Sequence, residues 1–229
     1  MTEVAWVAGS DGGIGRAVCE RLRQDGYDVH GSDRPDEDVT EPGVAAEVAA
    51  GLAAGAGLHV AVHTVGMSAR RYGDGPLAEC ALEAWQESLR VNLTSAFQFL
   101  QACLRSATDG ARVVLIGSAL AHTHDPDFDT VAYRVSKGAL ESLLATAARE
   151  GLRRGVRVNL VSPGLVETPM AQRALADPRI AGRLDELMPL RGRAASAETV
   201  AEAVGWLVAP SSAWTTGAIV PVDGGWRVR

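Results

Sequence analysis

The single lysine of the chain, Lys137, lies four residues after Tyr133, so both side chains fall on one face of a helix. The other basic residues are all arginine. A tyrosine that exchanges a proton near pH 7 needs its pKa lowered by roughly three units, or about 4 kcal/mol. An ammonium about 4 Å away supplies about that much at an effective dielectric constant near 20. The pair therefore predicts acid-base chemistry, because a surface pair would leave the single lysine unexplained.

A glycine-rich turn, from Gly9 to Gly15, separates an apolar run from an amphipathic helix. Its glycines would let the backbone approach a pyrophosphate, which the N-terminus of the helix would bind through its N–H groups. The spacing is G-x-x-x-G-x-G, and the absence of a Gly-Lys-Ser/Thr sequence excludes a P-loop. The turn predicts a dinucleotide site, with an ordinary turn in a chain of 25 glycines as the alternative.

The second predicted strand leads to Asp33, whose carboxylate could accept hydrogen bonds from both hydroxyls of an adenine ribose. The carboxylates of Asp33 and Asp11 would repel the 2′-phosphate of NADP, whereas the adjacent Arg34 would attract it. We therefore expect NAD as the cofactor, with NADP as the alternative. The competing interpretation is that Asp33 only caps the turn before Pro35.

The segments that position these residues alternate between strand and helix lengths, as in repeated βαβ units. Strands are predicted at residues 4–8, 27–32, 58–64, 112–116, 156–161 and 218–222. Helices are predicted from the glycine turn to near Gly26 and at residues 82–107, 132–154 and 197–208. The expected fold class is α/β, a three-layer doubly wound (Rossmann) parallel sheet of about seven strands with helices on both faces.

The composition limits the class of protein. With 229 residues, 47% of them hydrophobic, the chain is expected to form one domain, residues 1–229. No apolar run reaches the roughly 18 residues of a membrane span, and we see no secretion signal. The net charge of −6 argues against a nucleic-acid partner. Three cysteines without a C-x-x-C pair (Cys19, Cys80 and Cys103) are typical of reduced thiols in a cytoplasmic protein.

Over nearly its whole length, the chain resembles the short-chain dehydrogenase/reductase family in its single-domain subgroup. Besides the glycine turn and Tyr133-x-x-x-Lys137, the segments that carry this resemblance are Asp38-Val39-Thr40, Val91-Asn92-Leu93, Ser118 after the apolar residues 113–116, Asn159 to Gly164, Thr168-Pro169-Met170, Thr216-Gly217-Ala218 and Val222-Asp223-Gly224-Gly225. In this order and at these distances the set is specific.

The resemblance implies that Tyr133 is the general acid and base and that Ser118 orients the substrate oxygen. It also implies that Lys137 binds the nicotinamide ribose and that Asn92 holds a water linking Lys137 to solvent. Tyr133 and Lys137 also count among the predicted cofactor-binding residues, with Gly9, Asp11, Gly13, Ile14, Gly15, Asp33, Asp38, Val39, Thr64, Val65, Gly66, Pro163, Gly164, Val166 and Thr168. Asp38 and Val39 would touch the adenine, and the segment from Pro163 to Thr168 would hold the nicotinamide end.

Two departures from the family pattern concern geometry. Ala8 stands where the family has threonine, and the sequence His-Thr-Val-Gly at residues 63–66 replaces Asn-Asn-Ala-Gly. In the family these two segments hydrogen-bond one another, so both sides of one contact are altered. In addition, only four residues separate Asp33 from Asp38, where the family has a helix and a strand. The shortened second crossover should leave the adenine end of the site open.

A third departure is the separation of 15 residues between Ser118 and Tyr133, slightly longer than usual. The additional residues lie in the segment 122–129, which contains two histidines and three aspartates. These are metal-ligand types, but the spacing is irregular, so we interpret the segment as a polar loop on the substrate side and expect no metal.

The segment after Thr168 has apolar residues at helical spacing. It is interpreted either as a packed helix or as a mobile lid over a partly apolar substrate, and the sequence leaves both open. The residues of this apolar face are Met170, Leu175, Ile180, Leu184, Leu187, Met188 and Leu190.

The leading functional hypothesis is an enzyme that interconverts a secondary alcohol and a ketone by hydride transfer with NAD(H). The alternative is a non-catalytic dinucleotide-binding sensor or scaffold subunit, which would not need Asn92, Ser118, Tyr133 and Lys137 together. An epimerase or dehydratase of the two-domain subgroup is disfavoured by the glycine spacing and the missing C-terminal substrate domain. The expected partner is a small alcohol or ketone.

Self-association as a homotetramer or homodimer is expected from the resemblance. An apolar stripe in the predicted helix 132–154 could serve an interface or the core, and the sequence does not distinguish them. The stripe consists of Leu140, Leu143, Leu144 and Ala147.

Overall fold

The protein, described from a computed structural model that covers residues 2–229, contains a six-stranded sheet in which all neighbouring strands are parallel. The spatial order is β2-β1-β3-β4-β5-β6, so the chain reverses direction across the sheet after β2. This is the predicted doubly wound topology, and the fold class is confirmed. The strands are β1 (Val4–Ala8), β2 (Asp28–Ser32), β3 (Val60–His63), β4 (Arg112–Ile116), β5 (Arg157–Pro163) and β6 (Ile219–Val222).

The helices lie between these strands and after β5. They are α1 (Gly13–Gln24), α2 (Val44–Ala54), α3 (Leu82–Leu89), α4 (Ser95–Ser106), α5 (Val131–Gly151), α6 (Gln172–Leu175), α7 (Pro178–Ala181), α8 (Leu184–Leu187) and α9 (Ala197–Val208). None of the helices within residues 2–229 is long and apolar enough to cross a membrane.

Both faces of the sheet are covered because successive strand side chains point to opposite faces. In β1, Ala5 and Val7 belong to a core cluster with α1 and α9, whereas Trp6 and Ala8 belong to a cluster with α2, α4 and α5. The Trp6 ring is fully buried and lies 4.5 Å from the Phe99 ring, centroid to centroid. Burial on both faces explains why the strands are almost continuously apolar.

The leucine stripe of α5 belongs to this core. Leu140 is fully buried, Leu144 is 1% exposed and Ala147 is buried. Leu143 packs against the same cluster. The stripe therefore belongs mainly to the core, and only Leu143 is partly exposed.

Three features differ from the prediction. The sheet has six strands because residues 33–43 contain no strand, which leaves β2 at the edge. The helix α2, rich in alanine, was not predicted. The helix predicted at 82–107 is interrupted by a π-helical turn, Arg90–Thr94, between α3 and α4. Such bulges occur frequently at functional sites.

Candidate active site

A cavity of about 410 Å³ lies at the carboxyl ends of β3, β4 and β5, where ligands bind in open α/β sheets. Parallel strands all end at this edge, and the residues that follow them therefore converge. The predicted site residues that line the cavity are Ile14, Thr64, Gly66, Ser118, Tyr133, Lys137, Pro163, Gly164, Val166 and Thr168.

The other predicted residues lie outside the cavity lining. Asn92 is fully buried behind it, in the π-helical turn. Asp38 accepts the N–H of Thr40 at 2.9 Å, and Val39 is buried in the core cluster beside α2. Contacts of Asp38 and Val39 with adenine stay predictions. The residues of the glycine turn and the loops beside it that lie outside the lining are Gly9, Asp11, Gly13, Gly15, Asp33 and Val65.

Tyr133 and Ser118 both line the cavity, and their side chains are close enough for a hydrogen bond. Ser118 lies two residues after the end of β4 and begins a short turn, where its Oγ accepts the N–H of Leu120 at 3.2 Å. Burial raises the pKa of Tyr133, because a phenolate is poorly solvated there, and the Ser118 side chain opposes this by lowering it. The sequence had led us to expect a lowered pKa. Among the protein's own groups, burial outweighs the lowering effect of Ser118, so the packing favours the neutral phenol.

Lys137 is almost completely buried one turn further along α5. Its Nζ donates a hydrogen bond to the carbonyl of Ile116 at 3.0 Å, and burial lowers its pKa to about 8. Gly66 lies directly against it, since a Cβ at that position would stand 3.0 Å from Nζ. The ammonium is thus enclosed between the end of β4 and the backbone that follows β3.

Asn92 joins the segment after β3 to the helix that carries Tyr133. Its Oδ1 accepts the N–H of Met67 at 2.7 Å, and its Nδ2 donates to the Met67 carbonyl at 3.1 Å and to Ser136 Oγ at 2.9 Å. Ser136 Oγ in turn donates to the Tyr133 carbonyl at 2.7 Å. The buried network fixes the backbone beside Lys137, while a water held by Asn92 stays a prediction.

The segments that follow β1 and β3 still hydrogen-bond one another, although the residues that form this contact differ from those of the family. Thr64 Oγ1 lies 2.8 Å from the Ala8 carbonyl and 2.9 Å from that of Gly9, so a hydroxyl from the third strand replaces the missing threonine. Gly9 has φ +84°, and a Cβ on Gly15 would stand 2.0 Å from the Gly9 carbonyl oxygen. The turn is therefore tightly closed and can only be built from glycine at these positions.

The glycine turn fits a dinucleotide pyrophosphate. Among residues 2–229, no side chain caps the N-terminus of α1 at Gly12, so its N–H groups and partial positive charge are available to an anion. A Cβ on Gly13 would stand 2.7 Å from Thr168 Cγ2, which shows a narrow cradle between the turn and the segment after β5. Asp33 is aimed at this turn, because its Oδ2 accepts the N–H of Asp11 at 2.9 Å.

His63 fills the position of the family's first asparagine as a buried neutral residue. Its Nε2 lies 3.0 Å from Ser95 Oγ, whose hydrogen is directed to the Val91 carbonyl, so Nε2 is the donor. Burial and the charge of Lys137 lower the pKa of His63 to about 3. The imidazole therefore adds no charge to the site.

Sequence reasoning missed Asp74. Its buried carboxylate accepts the N–H of Ala132 at 2.9 Å and the N–H of Tyr133 at 3.0 Å, and so caps the first turn of α5. A helix N-terminus has unpaired N–H groups that a carboxylate satisfies well. The aspartate lies far from α5 in the sequence, so no local capping pattern reveals it.

We expect Asp74→Ala to lower the free energy of unfolding by about 1–3 kcal/mol, because it leaves two N–H groups without their acceptor. Asp74→Asn, which keeps one oxygen acceptor, should lose less. Urea unfolding followed by circular dichroism measures both. The matched control is Asp109→Ala, whose exposed side chain should contribute within about 1 kcal/mol. Equal stability of Asp74→Ala and the control would contradict this role.

Side chains of the loop at residues 122–129 form ion pairs and hydrogen bonds with arginines from other parts of the chain. Asp125 pairs with Arg183 at 2.8 Å and with Arg229 at 2.7 Å, and Asp127 also pairs with Arg183. His124 contacts Arg134 at 2.9 Å. Within residues 2–229, no group of three or more His, Cys, Asp or Glu residues is placed to hold a metal ion.

The far half of the segment after Thr168 is packed. Ile180, Leu187 and Met188 are buried in a third apolar cluster with Phe128 and Trp226. Met170 and Leu190, in contrast, are exposed by 50% and 75%. The apolar face therefore divides into an anchored part and exposed residues at each end.

The amino-acid sequence is similar to a known protein family and to individual members of known name. The sequence model of a family described as "Enoyl-(Acyl carrier protein) reductase" matches residues 37–227. A 3beta-hydroxysteroid dehydrogenase 1 from Eggerthella lenta is 29% identical over 243 residues, which cover 96% of this chain and 91% of that protein.

Two solved structures extend the comparison. A short-chain dehydrogenase/reductase from Serratia marcescens superposes with a TM-score of 0.88 at 28% identity, covering 99% of this chain and 98% of that chain. A blue fluorescent protein from a metagenomic library, solved with NADPH, gives a TM-score of 0.87 at 26% identity over 98% of this chain and 97% of that chain.

Proposed function

Because the chain belongs to the short-chain dehydrogenase/reductase family of oxidoreductases, we propose that it interconverts a secondary alcohol and a ketone with NAD(H). One observation carries the proposal. Ser118, Tyr133 and Lys137 line a single cavity at the carboxyl edge of the sheet, beside a glycine turn that fits a pyrophosphate.

In reduction, the neutral Tyr133 hydroxyl donates its proton to the carbonyl oxygen, and in oxidation the phenolate accepts it from the alcohol. Ser118 holds the same oxygen by a hydrogen bond and so fixes its distance from Tyr133. The nicotinamide, when bound, supplies or accepts the hydride. Lys137 places a positive charge beside the phenol, which favours the phenolate as it forms.

The residues that would hold the cofactor extend along one edge of the sheet. The N–H groups of Gly13, Ile14 and Gly15 would bind the pyrophosphate. Lys137 would bind the nicotinamide ribose, and the segment from Pro163 to Thr168 would enclose the nicotinamide. So bound, the nicotinamide would lie in the same cavity as Tyr133 and Ser118.

NAD is proposed over NADP because Asp33 places a carboxylate at the end of β2, where a 2′-phosphate would be repelled. We expect Asp33→Asn to raise kcat/KM with NADPH by about tenfold relative to NADH, a change of about 1.4 kcal/mol. Asparagine keeps an acceptor for the Asp11 N–H, so the turn is preserved. The ratio of kcat/KM values measures the effect, with Asp36→Asn as the exposed control. An unchanged ratio would refute the role of Asp33.

A panel of ketones tested by loss of NADH absorbance separates the proposed enzyme from a non-catalytic sensor. The enzyme should oxidise NADH with at least one ketone, and Tyr133→Phe should lower this activity by about 10²-fold or more. Binding of NADH without turnover of any ketone would favour the sensor.

Self-association is proposed through exposed apolar residues rather than the buried α5 stripe. Phe97 on α4 and Val135 on α5 are 48% and 41% exposed.

A cytoplasmic location is proposed as well, and the free cysteines Cys19, Cys80 and Cys103 agree with it.

A further inference from the structure

The wall of the cavity carries an excess of positive charge, although the net charge of the chain is −6. Lys137 belongs to the acid-base site described above. The remaining charged side chains of the lining are Arg70, Arg173, Arg179, Asp127 and Asp177.

Both carboxylates of the wall already have arginine partners. Asp177 pairs with Arg179 at 2.8 Å, and Asp127 pairs with Arg183, which lies outside the lining. Neither Arg70 nor Arg173 forms an ion pair within the part of the chain that the structure describes. These two guanidinium groups therefore provide positive charge in the cavity that no ion pair within residues 2–229 engages.

Arg70 is fixed to the scaffold that holds Tyr133. It lies in the short turn Ala69–Tyr72 after β3, and its guanidinium donates to the Asp127 carbonyl at 3.3 Å. The Ala69 carbonyl accepts the N–H of Asp74 at 3.2 Å, and the carboxylate of Asp74 accepts the N–H of Tyr133. Two hydrogen bonds of Asp74 thus link the turn that carries Arg70 to the backbone of Tyr133.

Arg173 reaches the cavity from α6, in the segment after Thr168. The two guanidinium groups are close enough to repel one another. Burial lowers the pKa of Arg70, the charge of Arg173 lowers it further, and the carboxylates of Asp74 and Asp129 only partly oppose this. An anion between the two groups would relieve the repulsion and could form charge-assisted hydrogen bonds with both.

We propose that the substrate carries an anionic group, a carboxylate or a phosphate, that Arg70 and Arg173 bind while its carbonyl oxygen lies at Ser118 and Tyr133. This inference rests on the proposed oxidoreductase function and specifies its substrate class. Guanidinium groups suit such a role because their planar donors match carboxylate and phosphate oxygens in pairs.

The test compares anionic ketones with uncharged counterparts. The carboxylate probes are 3-oxobutanoate, 4-oxopentanoate and 5-oxohexanoate, each paired with its methyl ester, and the phosphate probe is dihydroxyacetone phosphate paired with dihydroxyacetone. We expect kcat/KM with NADH to be about tenfold higher or more for at least one anion than for its counterpart. The two sets of probes distinguish a carboxylate from a phosphate substrate.

The double variant Arg70→Ala/Arg173→Ala should remove most of this preference, and added salt should weaken it in the wild type. Arg71→Ala is the matched control, because Arg71 is the exposed neighbour in the same turn and does not line the cavity. Isothermal titration of each anion and its counterpart in the presence of NADH measures binding independently of turnover.

The kinetic comparison and the binding titration together distinguish a failure of the anion site from a failure of the proposed oxidoreductase function. Equal kcat/KM and equal affinity for the anions and their counterparts would overturn the anion site and leave the oxidoreductase function intact. Tighter binding of an anion that the double variant loses, without turnover of any probe, would support the anion site and count against the proposed reaction.

Discussion

Tyr133→Phe is expected to lower kcat for ketone reduction by about 10²- to 10⁴-fold, the usual contribution of a positioned general acid or base. The phenylalanine ring fills the same space but has no proton to donate to the carbonyl oxygen. Since the hydroxyl is not needed to hold the pyrophosphate or the adenine, the Kd for NADH should change by less than about threefold. Stopped assays of NADH consumption and a fluorescence titration with NADH measure the two quantities.

The matched control is Tyr72→Phe, which removes a tyrosine hydroxyl outside the cavity lining. Its kcat should stay within about twofold of the wild type, since surface changes rarely alter the site. If Tyr133→Phe retained near-normal kcat, another group would have to move the proton, and the proposed chemistry would be wrong.

Lys137→Met is expected to change the pH dependence of stability by about 3 kcal/mol, because burial lowers the lysine pKa from 10.5 to about 8. The unfolded chain binds this proton up to pH 10.5 and the folded chain only up to about pH 8. The wild-type free energy of unfolding should therefore rise, through this group, as the pH increases across that interval. Below it, both states are protonated and the full penalty of burying the charge is present.

The measurement is the difference in free energy of unfolding between wild type and Lys137→Met, taken from urea titrations at several pH values. Because Lys137 is the single lysine, no other lysine contributes. The charge of Lys137 also lowers the pKa of His63, but His63 is neutral in both proteins above pH 8, so it does not affect the difference in the interval of interest. A difference that does not vary with pH would show that the folded lysine titrates normally.

The same variant should lower kcat/KM by about 10²-fold or more, as expected when a preorganised charge is removed from a water-poor site. Arg154→Met serves as the control for the removal of a cation from a surface ion pair. A loss confined to KM would assign Lys137 to cofactor binding alone.

Local sequence patterns were sufficient for the elements and for part of the site. The strand predicted at residues 4–8 and the helix predicted at 197–208 match β1 and α9 residue for residue. Tyr133 and Lys137 lie on one helix because their spacing equals about one helical turn, which is a local property. The π-helical turn that interrupts the helix predicted at 82–107 was not predicted, because an apolar repeat does not reveal such a turn.

Hydrophobic periodicity and short residue spacings are local properties of the chain, and they are enough to predict the doubly wound order of elements, the glycine turn and the family. Tertiary structure decided which distant groups meet: Asp74 at the start of α5, Thr64 at the Ala8 carbonyl, and Arg70 near Arg173. It also decided the direction of the Tyr133 pKa. Burial and the hydrogen bond with Ser118 shift that pKa in opposite directions, and only the packing around the hydroxyl shows that burial has the larger effect.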